Sequence, residues 1–533
     1  MYGTSEGCNR SAYLNALVSA TFVYLSFTII WFLIVTSLIL SSLPKNMSTS
    51  DHPRAYRRTL HRIFIVPLTR YWLSAEERNG MTSGGILQEV ADSLSAILGD
   101  DKICPSDILV GLILLGKAQK IERTSSHVFE VERDDFRGSK PEIGDGHTPL
   151  HQEVSNIQHF VKYACAVYGL PLFVFANLPF GILHLVFPCL GKNHTLLQSI
   201  QLSLSREWAF GCLCCFPAAW HGRGPRHHPD IVCHSMESGV LKAPYVLAID
   251  HEKKAIVLAI RGTMSLNDLL ADLLIQEQLI KWTDDQGVDQ EASTHRGMYR
   301  IAVNTIAEIR HDLLRLLVSQ DSLTFGYSLV VCGHSLGGGV SAIVAFLLKQ
   351  DQEFSSIKSD IYALCYACPG VVISAEGIDY FKTFCTSVII GDDFIARISP
   401  KSAKLMYQKI QILLSQCKQR KIDILAGALL KKCLGFTRSH STRDIDVESQ
   451  GALEMDDIQG INTYLPGNVV HFIKATSPTT ASDTALLGNS EVNNYELRWV
   501  DAAIFDEIIV SWTMGSTHLP NKMADVLASH VLA

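Results

Sequence analysis

YSLVVCGHSLGGGVSAIVAFLLK, residues 327–349, passes from a β-branched apolar run through Gly333-His334-Ser335-Leu336-Gly337 into an apolar helical pattern. Read locally, this is a strand, a sharp turn and a helix, with a serine at the apex. A serine hydroxyl is a weak nucleophile unless it is exposed beside a base and near donors for developing negative charge. Glycines on either side let the backbone turn tightly and let neighbouring chain come close. The N–H groups that open the following helix point to where that charge would develop. The pentapeptide in this setting reads as a nucleophile elbow; a plain glycine-rich turn is the alternative.

Strand and helix patterns alternate outward from the elbow. Residues 245–249 and 255–260 read as strands around a turn, 298–317 as a helix, and 361–367, 387–390 and 469–473 as further strands. Repeated β-α-β units predict an α/β fold, a mostly parallel or mixed sheet flanked by helices on both faces. Active sites of such sheets sit at the carboxyl ends of the strands, where Ser335 falls.

A nucleophilic serine needs a base, and the base needs an orienting acid, in chain order Ser, acid, His for this fold type. Asp392-Asp393 follows the strand-like Val388-Ile389-Ile390-Gly391, so either carboxylate is placed to reach an imidazole, or the pair caps a turn. Three histidines compete as base. His471 lies inside a strand pattern and His530 inside the last helix, whereas His518 lies in a loop after the strand-like stretch 504–510. The loop position suits a base best. Oxyanion stabilisation takes two donors or more. The backbone N–H of Leu336 is one, and Arg261-Gly262-Thr263, directly after a strand, offers the N–H and hydroxyl of Thr263.

Composition bounds the rest. Of 533 residues, 47% are hydrophobic and only 19% charged, which directs attention to membrane segments. A net charge of −7 gives no reason to expect nucleic acid as a partner. The 14 cysteines lack regular spacing and read as reduced thiols. Cys365-x-x-Cys368 has no second pair at zinc spacing and reads as structural.

Residues 12–43 are almost continuously apolar and carry no charge. About 20 such residues cross a bilayer, so this stretch is expected to be a retained transmembrane anchor rather than a cleaved signal or a core helix. Arg10 precedes it; Lys45, Arg54, Arg57, Arg58, Arg62 and Arg70 follow. The positive-inside rule then puts everything after the anchor in the cytoplasm and leaves sequons at Asn46 and Asn193 unglycosylated. The basic, aromatic stretch 54–72 suits an anionic leaflet or simply fixes topology. Residues 85–98 have helical apolar spacing, Pro105-Ser106-Asp107 starts a short helix, and 122–151 reads as a linker. Residues 163–190 are apolar but broken by Pro171, Pro179 and Pro188, and read as membrane-apposed or packed helices, with a second span or plain core as alternatives. Cys212, Cys214 and Cys215 read either as palmitoylation sites or as core thiols.

Several segments together resemble a known family. Leu258-Ala-Ile-Arg-Gly-Thr263, His295-Arg-Gly-Met298 and the Gly333–Gly338 elbow are similar to the oxyanion, H-x-G-[FM] and G-H-S-L-G-G segments of the class 3 (fungal-type) lipases. The stretches 105–112, 163–171, 391–397, 466–471 and His518-Leu-Pro520 resemble the sn-1-specific diacylglycerol lipases within that class. The resemblance runs from about residue 54 to the C-terminus. It implies an α/β-hydrolase fold with Ser335 as nucleophile, Asp393 rather than Asp392 as acid, His518 as base, and Thr263 and Leu336 as oxyanion donors. No cofactor or metal is required for that chemistry; calcium is implied as a stimulant, with the carboxylates of 443–457 as its candidate site. The family's D-x-V-P-R reads Asp393-Phe-Ile-Ala-Arg397, without the proline, and its four N-terminal spans reduce here to one clear stretch.

These readings predict three regions. Residues 1–50 hold the anchor, 51–240 form membrane-proximal helices, and 241–533 form the catalytic domain with an insertion at about 401–461. The leucine-rich 265–274 and that insertion are candidate covers for the site. The predicted function is an integral-membrane serine lipase, its catalytic domain cytoplasmic at the plasma membrane, cleaving the sn-1 ester of diacylglycerol in the bilayer. A phospholipase A1 or triacylglycerol lipase is the alternative, and a non-catalytic lipid-binding protein the remaining one.

Overall fold

The structure is a computed structural model that describes residues 105–125, 150–168, 230–237, 241–262, 277–284, 286–434, 462–474 and 495–529. Strands β1 (Asp230–Ser235), β2 (Tyr245–Asp250), β3 (Ala255–Ile260), β6 (Ser328–His334), β7 (Ile361–Tyr366), β9 (Cys385–Ile390), β11 (Asn468–Lys474) and β12 (Tyr495–Val500) form one sheet in the order β1-β2-β3-β6-β7-β9-β11-β12. Its centre, β3-β6-β7-β9-β11, is parallel, and its flanks pair antiparallel. A smaller antiparallel sheet joins β4 (Glu277–Thr283), β5 (Asp289–His295), β8 (Ile373–Ser374) and β10 (Thr463–Tyr464).

The central strands are apolar on both faces, and their period of two feeds two separate cores. Ile256, Leu258, Ile260, Leu329 and Val331 face the helices α3 (Arg296–Leu313) and α4 (Leu336–Gln350). Ala255, Val257, Ala259, Val330 and Cys332 face α2 (Leu150–Ala166) and α7 (Pro520–Ser529). Helix α4 is buried almost all round, which explains its uniformly apolar sequence. Gly333 and Gly337 let β3, β6 and α4 close up: a Cβ at Gly337 would run into the Ile260 carbonyl, and one at Gly333 into the Gly337 carbonyl.

A third core joins α1 (Pro105–Ser125) to α5 (Pro400–Gln416) and α6 (Lys421–Leu434) through Val110, Leu114, Leu115, Ile410, Leu413 and Ile424. Helix α1 is thus longer than the short segment expected from 108–115. The first part of the expected insertion, 401–432, is helical, in two helices interrupted at 417–420.

Strand β1 pairs with β2 and α2 covers the same sheet, so the sheet continues across position 240/241, where a boundary was expected. Residues 163–168 are buried against that sheet, so the described part of 163–190 is packed core. The stretch 504–510 is not a strand: a 3-10 turn spans Ala502–Phe505, and the chain then runs irregularly. Its backbone is engaged by side chains from other elements instead of a neighbouring strand, since Arg397 donates to the Ile504 and Glu507 carbonyls and Gln119 binds Ile508 and Val510.

Among the described residues no helix is long and apolar enough to cross a membrane. The anchor expected at 12–43 lies outside the described residues. So do the segments 54–72, 85–98, 169–190 and 265–274, Thr263, Cys212, Cys214, Cys215, His530 and the carboxylates of 443–457.

Candidate active site

Ser335 stands between β6 and α4 with φ 59° and ψ −130°, one of four non-glycine residues at positive φ among the described residues. L-residues avoid that region, and such strain concentrates at functional sites. The surroundings hold it there. Its N–H donates to the Tyr366 carbonyl at 2.8 Å on the neighbouring β7, and its own carbonyl accepts from Gly338 N at 2.9 Å as α4 begins. The side chain is thereby turned out over the carboxyl edge of the sheet.

The structure brings Ser335, His518 and Asp393 together. Ser335 Oγ lies 3.0 Å from His518 Nε2, and His518 Nδ1 lies 3.0 and 3.1 Å from the two oxygens of Asp393. Asp393 is fully buried, while the His518 side chain remains 17% exposed. The carboxylate also accepts from Ile395 N at 2.9 Å, which fixes its plane. The adjacent Asp392 points elsewhere, to Arg123 of α1 at 3.1 Å, so geometry separates the two neighbouring aspartates. His471, inside β11, is spent on the Gly391 carbonyl at 2.8 Å and does not face the serine.

The expected oxyanion donors come from two chain segments. Helix geometry leaves Leu336 N–H, directly after the serine, with no acceptor in its own helix. Gly262, at the end of β3, lies so close that a Cβ there would meet the His334 carbonyl, the Tyr168 hydroxyl and Ser335 Cβ. Thr263 is the next residue in the chain and lies outside the described residues.

Sequence reading left several supporting residues without a role. Arg397 is buried, stacks its guanidinium 4.7 Å over Phe505, and donates to the carbonyls of Ile504 and Glu507. It thus ties the acid loop to the segment that leads to His518; burial lowers its pKa to about 10. Burial likewise pulls His471 down to about 4, against the opposing hydrogen bond to Gly391. Gln119 of α1 donates to Ile508 O and Glu507 Oε1 and accepts from Val510 N, each at 2.9 Å. Both Arg397 and Tyr168 sit inside stretches that carried the resemblance, the only sequence signal for them.

A serine, a histidine and an aspartate hydrogen-bonded in line at the carboxyl edge of a mixed sheet have the geometry of an α/β-hydrolase-type site. Residues 257–403, which hold the elbow and the acid, match the family described as Lipase (class 3). Over 463 residues the chain is 26% identical to diacylglycerol lipase-beta of Mus musculus, covering 82% of this chain and 64% of that protein. It is 25% identical over 461 residues to diacylglycerol lipase-alpha of Homo sapiens, covering 81% and 42%. The chain therefore spans less than two thirds of the length of these relatives. The solved mono- and diacylglycerol lipase of Aspergillus oryzae aligns over 47% of this chain and 74% of its own, at 16% identity and a TM-score of 0.30. Among the described residues no group of three or more His, Cys, Asp or Glu side chains is arranged to hold a metal.

Proposed function

We propose that this protein is a membrane-anchored serine lipase that cleaves the sn-1 ester of diacylglycerol to a fatty acid and 2-monoacylglycerol. The observation that carries the reading is the hydrogen-bonded line from Ser335 Oγ through His518 to Asp393. In this reading His518 Nε2 takes the serine proton as Oγ attacks the ester carbonyl. Asp393 accepts from Nδ1–H, keeps Nε2 as the proton acceptor and stabilises the imidazolium that forms. The oxyanion accepts from Leu336 N–H and from Thr263. Collapse expels the 2-monoacylglycerol alkoxide, which takes the proton back from His518, and the acyl group stays on Ser335. Water, deprotonated by His518, then releases the fatty acid.

The substrate class is supported by similarity to proteins named as diacylglycerol lipases. The apolar stretch 12–43 supports an anchor that keeps a cytoplasmic active site at the leaflet where such a lipid resides. The extent of the unit supports a catalytic region that begins before residue 241, since α2 and β1 belong to its sheet. Calcium enters only as a stimulant implied by the resemblance, and the chemistry runs without it.

The test is hydrolysis of vesicle-borne lipids by the full chain. Ser335→Ala is expected to lower kcat by about 10⁶, and Asp393→Asn by about 10⁴. Wild type is expected to release fatty acid from diacylglycerol faster than from matched phospholipid or triacylglycerol vesicles. Preference for phospholipid would replace the reading with a phospholipase A1. Retained hydrolysis in Ser335→Ala would remove the serine from its role.

A further inference from the structure

His334, the residue before the nucleophile, is only 2% exposed yet uses both ring nitrogens. Its Nε2 lies 2.7 Å from the backbone carbonyl oxygen of His518, and its Nδ1 lies 2.8 Å from the hydroxyl of Tyr168. A carbonyl oxygen only accepts, so Nε2 carries the proton. Burial, reinforced by nearby His518, holds the imidazole well below its usual pKa and therefore neutral. Nδ1 is then a lone pair, and Tyr168 must donate to it. The proton order is fixed along the whole chain: Tyr168 O–H to His334 Nδ1, and His334 Nε2–H to His518 O.

This chain does what Asp393 does not. The carboxylate orients the His518 ring through Nδ1, but the residue itself rides on an irregular loop of turns between Ser511 and Leu519. The bond from His334 ties the main chain of His518 to the end of β6, one residue before Ser335. Tyr168 reaches across from the end of α2, and its hydroxyl also lies against Gly262, at the start of the oxyanion segment. One hydroxyl therefore touches the segments that carry the nucleophile and the oxyanion donor, and through His334 it holds the base.

We propose that His334 and Tyr168 are positioning residues that set the His518 backbone at the distance from Ser335 that proton transfer requires. The proposal rests on the reading of Ser335, His518 and Asp393 as the reacting line. It predicts sensitivity to one hydrogen bond rather than to volume. Glutamine at position 334 carries a side-chain N–H at about the reach of the imidazole Nε2, and leucine carries none.

The experiment uses full-length protein in detergent micelles, with three readouts: the labelling rate of Ser335 by a fluorophosphonate probe, kcat and KM on a soluble p-nitrophenyl ester, and Tm. His334→Leu is expected to lower kcat and the labelling rate by about 100-fold with KM within about twofold, and His334→Gln to recover all but about threefold. Tyr168→Phe removes one oxygen and is expected to slow both rates about tenfold at nearly unchanged Tm; it carries the test where the leucine variant does not fold. Equal rates for the leucine and glutamine variants, or an unchanged rate in Tyr168→Phe, overturn the positioning role while wild-type labelling persists. Labelling of Ser335→Ala as fast as wild type overturns the reacting line itself, and this proposal with it.

Discussion

Among single residues, Ser335 carries backbone strain of the kind that concentrates at functional sites. A φ of 59° is held by the hydrogen bond from its N–H to Tyr366 and by the start of α4. Glycine adopts that conformation freely, whereas alanine does not. Ser335→Gly is therefore expected to be more stable than Ser335→Ala by about 1 kcal/mol in urea denaturation, both being inactive. Equal stability would mean the turn is unstrained. His471 gives a second expectation. Its folded pKa of about 4 lies below the ordinary value of 6.5, so the unfolded chain binds the proton first as pH falls. Stability contributed by this neutral histidine is fully present above about pH 6.5 and is lost toward pH 4, by about 3 kcal/mol at that point. His471→Asn is expected to flatten the pH dependence of Tm in that window; an unchanged slope would assign the acid sensitivity to other groups.

At the scale of elements, much was legible where period and chemistry agree. The apolar strands 255–260 and 328–334, the elbow at 333–337 and the helix after it are local patterns, and the sheet buries them as their sequence demands. The stretch 504–510 was not legible, because its apolar residues look like a strand while distant side chains occupy its backbone. Local pattern alone left Asp393 and Asp392 equivalent, and only the family resemblance chose between them. What separates them is Arg123, 269 residues away, which draws Asp392 outward. Such long-range partners leave no periodic trace. The same contacts make α1 more than a spacer: Gln119 satisfies Ile508 O and Val510 N on the path to His518. Gln119→Leu strands those buried backbone groups, at about 1–3 kcal/mol. It is expected to lower Tm by several degrees and to reduce kcat more than KM changes; a loss of Tm alone would limit Gln119 to a structural role.

Across the whole molecule, helices α1 and α2 and the sheet that carries Ser335 are physically continuous. Helix α1 packs on α5 and α6 and also pairs with the acid loop, while α2 covers the sheet and delivers Tyr168 to the site. Side chains of α1 and of the chain just after α2 thus bond Asp392, next to Asp393, and, through His334, the main chain of His518. The composition that suggested a membrane protein concentrates in 12–43, so removing those residues is expected to shift the protein from carbonate-resistant membrane pellets to the supernatant. Tethered by 12–43, the line Ser335, His518, Asp393 is proposed to open the sn-1 ester of a bilayer-resident diacylglycerol. The most direct measurement supplies vesicles with diacylglycerol labelled differently at its sn-1 and sn-2 chains, and compares wild type with Ser335→Ala. Free fatty acid bearing the sn-1 label and a 2-monoacylglycerol keeping the sn-2 label are expected from wild type, and neither product from the variant. Release of the sn-2 label first, or equal release by Ser335→Ala, would contradict it.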